Sequence, residues 1–192
     1  VVVAAVGLPE LWRPERARGR WIAAGVAVAV AAIAVWPHGI PGVPRAETWY
    51  EIGRNLPRGS SPDEAIRLFE KGLALDPDHA DIHWSLGMAL VRAGRVEEGQ
   101  RELRKTIELE PRAAVAWQAL AAIDRRAGDL EAARENYLQA LEADPCNPYL
   151  YADLATLLMD MGYYHGAAEV LERGQAVAPR GRGPLEHAAA RL

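Results

Sequence analysis

The chain has 192 residues, 50% of them hydrophobic and 25% charged, with a formal net charge of −4. Those fractions exclude a disordered chain, and the single cysteine, Cys146, excludes an intrachain disulfide framework. The acidic balance argues against nucleic acid as a partner, because phosphates demand a basic face. The average also hides two unlike parts. Residues 1–45 carry five arginines against two glutamates, a charge of +3, whereas residues 46–192 carry 17 basic against 24 acidic residues, a charge of −7.

Residues 1–20 are apolar at the start and basic at the end, with Arg13, Arg16, Arg18 and Arg20. Residues 21–36 read WIAAGVAVAVAAIAVW, 16 positions without a polar side chain, bounded by Arg20 and Pro37. As a helix they would reach about 24 Å, slightly short of a hydrocarbon core of about 30 Å. Trp21 and Trp36 stand where interfacial aromatic residues would, so a membrane-spanning helix is expected. The arginine bias then puts residues 1–20 in the cytoplasm and everything after Pro37 on the periplasmic or extracellular side. A cleaved signal peptide, cut after Ala32-Ile33-Ala34, competes with that reading. Leu8 and Leu11-Trp12 disfavour it, since they interrupt what should be a short polar leader. Residues 37–45, PHGIPGVPR, suit neither helix nor strand and read as a linker.

From residue 46 the chain is periodic. Prolines stand at 77, 111, 145 and 179, 34 residues apart, and define four blocks: 46–79, 80–113, 114–147 and 148–181. Place 4 of each block holds Trp49, His83, Trp117 and Tyr151; places 7 and 8 hold Ile52-Gly53, Leu86-Gly87, Leu120-Ala121 and Leu154-Ala155. Place 20 holds Ala65, Gly99, Ala133 and Ala167; place 24 holds Phe69, Leu103, Tyr137 and Leu171; place 27 holds Gly72, Thr106, Ala140 and Gly174.

This pattern resembles the tetratricopeptide repeat family, W-x2-L-G-x2-Y…A-x3-F…P at a period of 34. The resemblance covers residues 46–181 and implies an all-α, right-handed solenoid of helix-turn-helix repeats, with eight or nine helices after the spanning one. Small residues at places 8 and 20 belong where the two helices of a repeat cross, large ones fill the space beside them, and proline ends the second helix. Gly94, Gly128 and Gly162 mark the turns between paired helices. In the first block Ser61-Pro62-Asp63-Glu64 supplies an N-cap, an N1 proline and a capping-box glutamate instead. Residues 182–192 place Leu185, Ala188, Ala189 and Leu192 as a capping helix or truncated fifth repeat. Two places depart from the pattern. His83 takes an aromatic place, and Asp124, beside Arg125 and Arg126, is expected to face solvent or pair locally.

No catalytic signature is present. His79 and His83 have the i, i+4 spacing of two metal ligands on one helix, but no third ligand converges on them in sequence. His165 and Glu169 read as an exposed pair, and Cys146 as an inert thiol in a Pro-Cys-Asn-Pro turn. No cofactor and no metal are expected.

The resemblance implies a concave groove lined by the first helix of each repeat, at places 2, 5, 9 and 12. Those places hold Glu47, Tyr50 and Arg54 in the first block, and Asp81, Trp84, Met88 and Val91 in the second. They hold Val115, Gln118, Ala122 and Arg125 in the third, and Tyr149, Ala152, Thr156 and Met159 in the fourth. The lining is partly apolar, which suits a protein or peptide with apolar anchors. Tyr50 and Arg54 replace the Lys and Asn of the family's chaperone-binding members, which argues against a carboxylate clamp of that kind. The expected function is a membrane-anchored, non-catalytic scaffold. Two alternatives stand beside it. One is the C-terminal part of a multi-pass bacterial membrane glycosyltransferase, similar in arrangement to the protein-mannosyltransferase type, with its chemistry upstream of Val1. The other is a secreted repeat protein with a cleaved signal peptide.

Overall fold

Proline and glycine punctuate residues 46–192 into helices of one or two dozen ångströms, and each helix is amphipathic enough to need a partner. The computed structural model describes residues 44–57, 59–177 and 182–192. Nine helices follow one another there: α1 (Ala46–Arg54), α2 (Pro62–Leu73), α3 (Ala80–Arg92), α4 (Val96–Leu109), α5 (Ala114–Ala127), α6 (Leu130–Ala143), α7 (Pro148–Asp160), α8 (Tyr164–Val177) and α9 (Arg182–Ala189). No strand occurs among the described residues. Ala46–Leu192 is one compact unit, an all-helical solenoid in which α1–α2, α3–α4, α5–α6 and α7–α8 pair in sequence and each pair packs on the next.

Local chemistry sets the helix ends. Ser61 caps α2 by accepting from the Asp63 N–H at 3.2 Å, with Pro62 at the first helical position. Asp129 caps α6 through the Ala132 N–H at 3.1 Å, and Asn147 caps α7 through the Tyr149 N–H at 3.1 Å. Gly94, Gly128 and Gly162 turn the chain between paired helices at φ of 82°, 89° and 82°, a left-handed conformation that costs other residues energy.

The crossings explain the small residues. A Cβ on Gly99 would stand 2.7 Å from the Gly87 carbonyl oxygen and 2.6 Å from Val91 Cγ2, so α3 and α4 touch through bare backbone. The later pairs cross through Ala121 with Ala133 and Ala155 with Ala167, all fully buried. The large residues at the neighbouring places fill the core: Phe69, Leu103, Tyr137 and Leu171 are each at most 3% exposed. Ile52 is the exception among its equivalents. It is 46% exposed while Leu86, Leu120 and Leu154 are buried, since no described helix precedes α1 to cover it.

Place 4 has a second use. The Trp117 indole N–H donates to the Pro111 carbonyl at 3.3 Å, the Tyr151 hydroxyl to Pro145 at 3.0 Å, and His83 Nε2 to Pro77 at 2.8 Å. Each satisfies the carbonyl of a proline that stands two to four residues beyond the preceding helix, outside its hydrogen-bond ladder. His83 can therefore stand in for an aromatic residue. Its other nitrogen lies 2.7 Å from Glu102 of α4.

The expected membrane localisation does not stand. Among the described residues no helix is long and apolar enough to cross a membrane. The longest, such as α4 and α5, have 14 residues, about 21 Å against a core of about 30 Å. The span expected over 21–36 lies outside the described residues, as do segment 1–20 and residues 37–43 of the linker. Placing the repeats on a periplasmic or extracellular side rested on that span and is withdrawn with it, as is the membrane as a partner.

Candidate protein-binding face

Helices α1, α3, α5 and α7 share one register, so their second, fifth, ninth and twelfth residues bring equivalent positions together. Between α3 and α5 these positions form a cleft of about 380 Å³, within the usual range of about 300–1,000 Å³ for ligand sites. Met88, Val91 and Val96 line one side and Ala119, Ala122, Ile123 and Ala127 the other, with Arg92 and Arg126 at equivalent places on the two helices. Neither arginine has an ion-pair or hydrogen-bond partner among the described residues, and both are exposed.

Met88 and Arg92 also belong to a second cavity of about 540 Å³ towards α1, lined by Gly53, Arg54, Leu56, Pro57, Phe69, Trp84 and residues 59–62. Trp84 is half-buried there. Its indole nitrogen is buried and has no acceptor among the described residues, an arrangement that costs about 1–3 kcal/mol where it persists.

The remaining groove candidates fall into two groups. Asp81 and Tyr149 are exposed near the starts of α3 and α7, Tyr149 at 62%. The others have internal partners. Tyr50 packs on Phe69 and His79, with ring centroids 6.4 and 5.8 Å away, and Arg54 lies over its face at 5.6 Å and 3.7 Å from Glu51. Gln118 donates to Asp153 at 2.7 Å, and Arg125 pairs with Asp160 at 3.9 Å. Met159 is only 8% exposed, in a cluster with Leu171 of α8 and with Leu185 and Ala188 of α9. Register alone gave no sign of that covering, because it depends on where the last helix lies.

Asp124 differs from its expectation. It pairs with neither adjacent arginine; Asn136 of α6 donates to it at 2.7 Å and Gln100 of α4 at 3.2 Å. Its place is half-buried between helix pairs, so burial pushes its carboxyl above the usual range while the Asn136 hydrogen bond opposes the shift. Two amide donors are what such a carboxylate needs. Of the other candidates, His165 and Glu169 form an exposed pair at 3.3 Å and Cys146 is exposed. Among the described residues no group of three or more His, Cys, Asp or Glu could hold a metal ion.

Comparison with known proteins agrees with the all-helical repeat fold. The tetratricopeptide repeat family model matches residues 60–123, and a second, described as TPR repeat, matches residues 121–162. No curated protein matches the chain. Among solved structures it is similar to MamA, with a TM-score of 0.62 at 20% identity over 69% of this chain and 72% of that one. It is similar to YrrB, a TPR protein with an unusual peptide-binding site, with a TM-score of 0.61 at 21% identity over 77% and 75%. It is also similar to pilF of Pseudomonas aeruginosa, with a TM-score of 0.64 at 17% identity over 76% and 68%. These likenesses show the fold. The two family matches together run over residues 60–162, more than half of the sequence, and the chain belongs to the tetratricopeptide repeat family.

Proposed function

We propose that this chain is a protein-interaction scaffold whose α1–α3–α5–α7 face receives a segment of a partner protein, and that it catalyses nothing itself. The four repeats would be 46–79, 80–113, 114–147 and 148–181, closed by residues 182–192. The observation that carries the reading is the apolar cleft between α3 and α5, because Met88, Val91 and Ile123 line space that no side chain of the described residues fills. Concave, apolar-lined sites with a few polar groups at the edge are where ligands are held. Family membership supports the same reading, and YrrB is a relative in fold described by its peptide-binding site. Trp84, Met88 and Val91 are the proposed anchors, with Arg54, Asp81 and Tyr149 at the edges. Tyr50, Gln118, Arg125 and Met159 contribute chiefly by packing and internal pairing.

The test is comparative capture. The full chain and its Met88→Glu variant are used to recover partner proteins, which are quantified side by side. A defined set lost from the variant, with an unchanged unfolding midpoint, supports the reading. A partner profile identical for both proteins overturns it.

A further inference from the structure

The cleft between α3 and α5 is apolar inside and cationic at its edge, and that combination narrows the class of partner. Six arginines elsewhere on the solenoid have an internal carboxylate within 4.0 Å, while Arg67, Arg104, Arg112 and Arg173 have none among the described residues and lie outside this cleft. Arg54 is 3.7 Å from Glu51, Arg95 is 2.6 Å from Glu98, Arg134 is 2.8 Å from Glu131, and Arg125 is 3.9 Å from Asp160. Arg92 and Arg126 have none among the described residues, although residues 46–192 carry seven more acidic than basic groups. Two cations therefore share one cleft without an anion, on a surface otherwise rich in anions.

A neighbouring carboxylate is the natural complement, since guanidinium binds it through paired, charge-assisted hydrogen bonds. The arginines come from equivalent places on the first helices of successive repeats, so a segment crossing from α3 to α5 meets one and then the other. Between them the segment faces Met88, Val91, Ala122 and Ile123, which offer contact only to an apolar side chain.

Resting on the scaffold reading above, we propose that the cleft selects an internal partner segment in which an apolar residue is flanked by Asp or Glu on both sides. Arg92 and Arg126 take the two carboxylates and the α3–α5 cleft takes the apolar side chain. Specificity then comes from both parts. A segment lacking the acids leaves two cations unmatched, and one lacking the apolar side chain leaves the cleft wet.

The experiment selects a random-peptide phage library on the immobilised full chain, in parallel with two variants. Arg92→Gln/Arg126→Gln removes the cations while keeping polar, exposed side chains. Ala122→Glu places a carboxylate inside the cleft on an exposed position, so it competes for both arginines without disturbing the core. Circular dichroism and unfolding midpoints verify that both variants fold. The expected result is enrichment of peptides with an apolar residue between acids. Their affinity falls at least tenfold for the double Gln variant and is lost for Ala122→Glu. Peptides that depend on Ala122 but show no acidic enrichment, or bind the Gln variant equally, overturn the proposal and leave the scaffold reading standing. Selection of no peptide sensitive to Ala122→Glu overturns both.

Discussion

The α3–α5 and α5–α7 stretches lie on the same face, in the same register, and treat a ligand differently. Between α3 and α5 the facing side chains are Met88, Val91, Ala122 and Ile123, and the cationic edge is unpaired. Between α5 and α7 the chain satisfies itself: Gln118 donates to Asp153, Arg125 pairs with Asp160, and Arg191 approaches Asp160 at 3.8 Å. The hydrophobic residue that could have anchored a ligand there, Met159, is already covered by α9. The solenoid supplies a repeating frame, and side chains at a few places decide which stretch stays open.

The open stretch depends on a bare backbone crossing, so the largest effect is expected there. Gly99→Ala should cost about 3 kcal/mol in urea unfolding, because the new methyl meets the Gly87 carbonyl and Val91 and neither can withdraw freely. The equivalent change at the later crossing, Ala133→Gly, should cost only about 1 kcal/mol, from helix propensity. Equal costs at both sites would erase this part of the contrast.

Beneath the closed stretch lies Tyr137, packed with Ala121, Leu154 and Leu157. Burial, and after it the Asp153 charge, push its phenol from an ordinary value of 10.0 up to about 12. The native state then holds this proton more tightly than the unfolded chain. Its contribution is complete below pH 10 and is lost between pH 10 and about pH 12. Tyr137→Phe should therefore lose about 1 kcal/mol less stability than the parent between pH 9 and pH 11, measured by urea unfolding at both values. Parallel alkaline profiles would contradict the assignment.

Smaller changes sharpen the comparison. Asp153→Ala should cost about 1 kcal/mol by leaving the half-buried Gln118 amide without its acceptor, with no effect on peptide affinity at the α3–α5 cleft. Arg125→Ala should change stability by less than about 1 kcal/mol, since both partners of its pair are partly exposed. A change in peptide affinity from either substitution would place the ligand on the closed stretch.

The fold was legible because its constraints are local and repeat. A proline every 34 residues, small residues at places 8 and 20 in all four blocks, and glycine at the turns of the last three each have one physical job, repeated from block to block. Departures were harder to read. His83 keeps the place-4 hydrogen bond to a proline carbonyl, a role visible only once Trp117 and Tyr151 are seen making it too. Asp124 sits where two donors arrive from different helices, Gln100 and Asn136, and no local pattern announces that meeting. For the candidate face, register names Met88 and Val91, and the structure places both in a cleft. Arg92 and Arg126 fall one place beyond the groove register, and their signal was a charge repeated 34 residues apart. The end of the solenoid was legible in Leu185 and Ala188, now buried, but not in its consequence for Met159.

The chain has three methionines, Met88 in the open stretch, Met159 in the closed one, and Met161 at the end of α7. Methyl-labelled methionine NMR of the full chain, titrated with a peptide selected on it, therefore reads both stretches in one spectrum. The account predicts a saturable shift of the Met88 methyl with Met159 and Met161 unmoved. A saturable shift of Met159 with Met88 unmoved would contradict it.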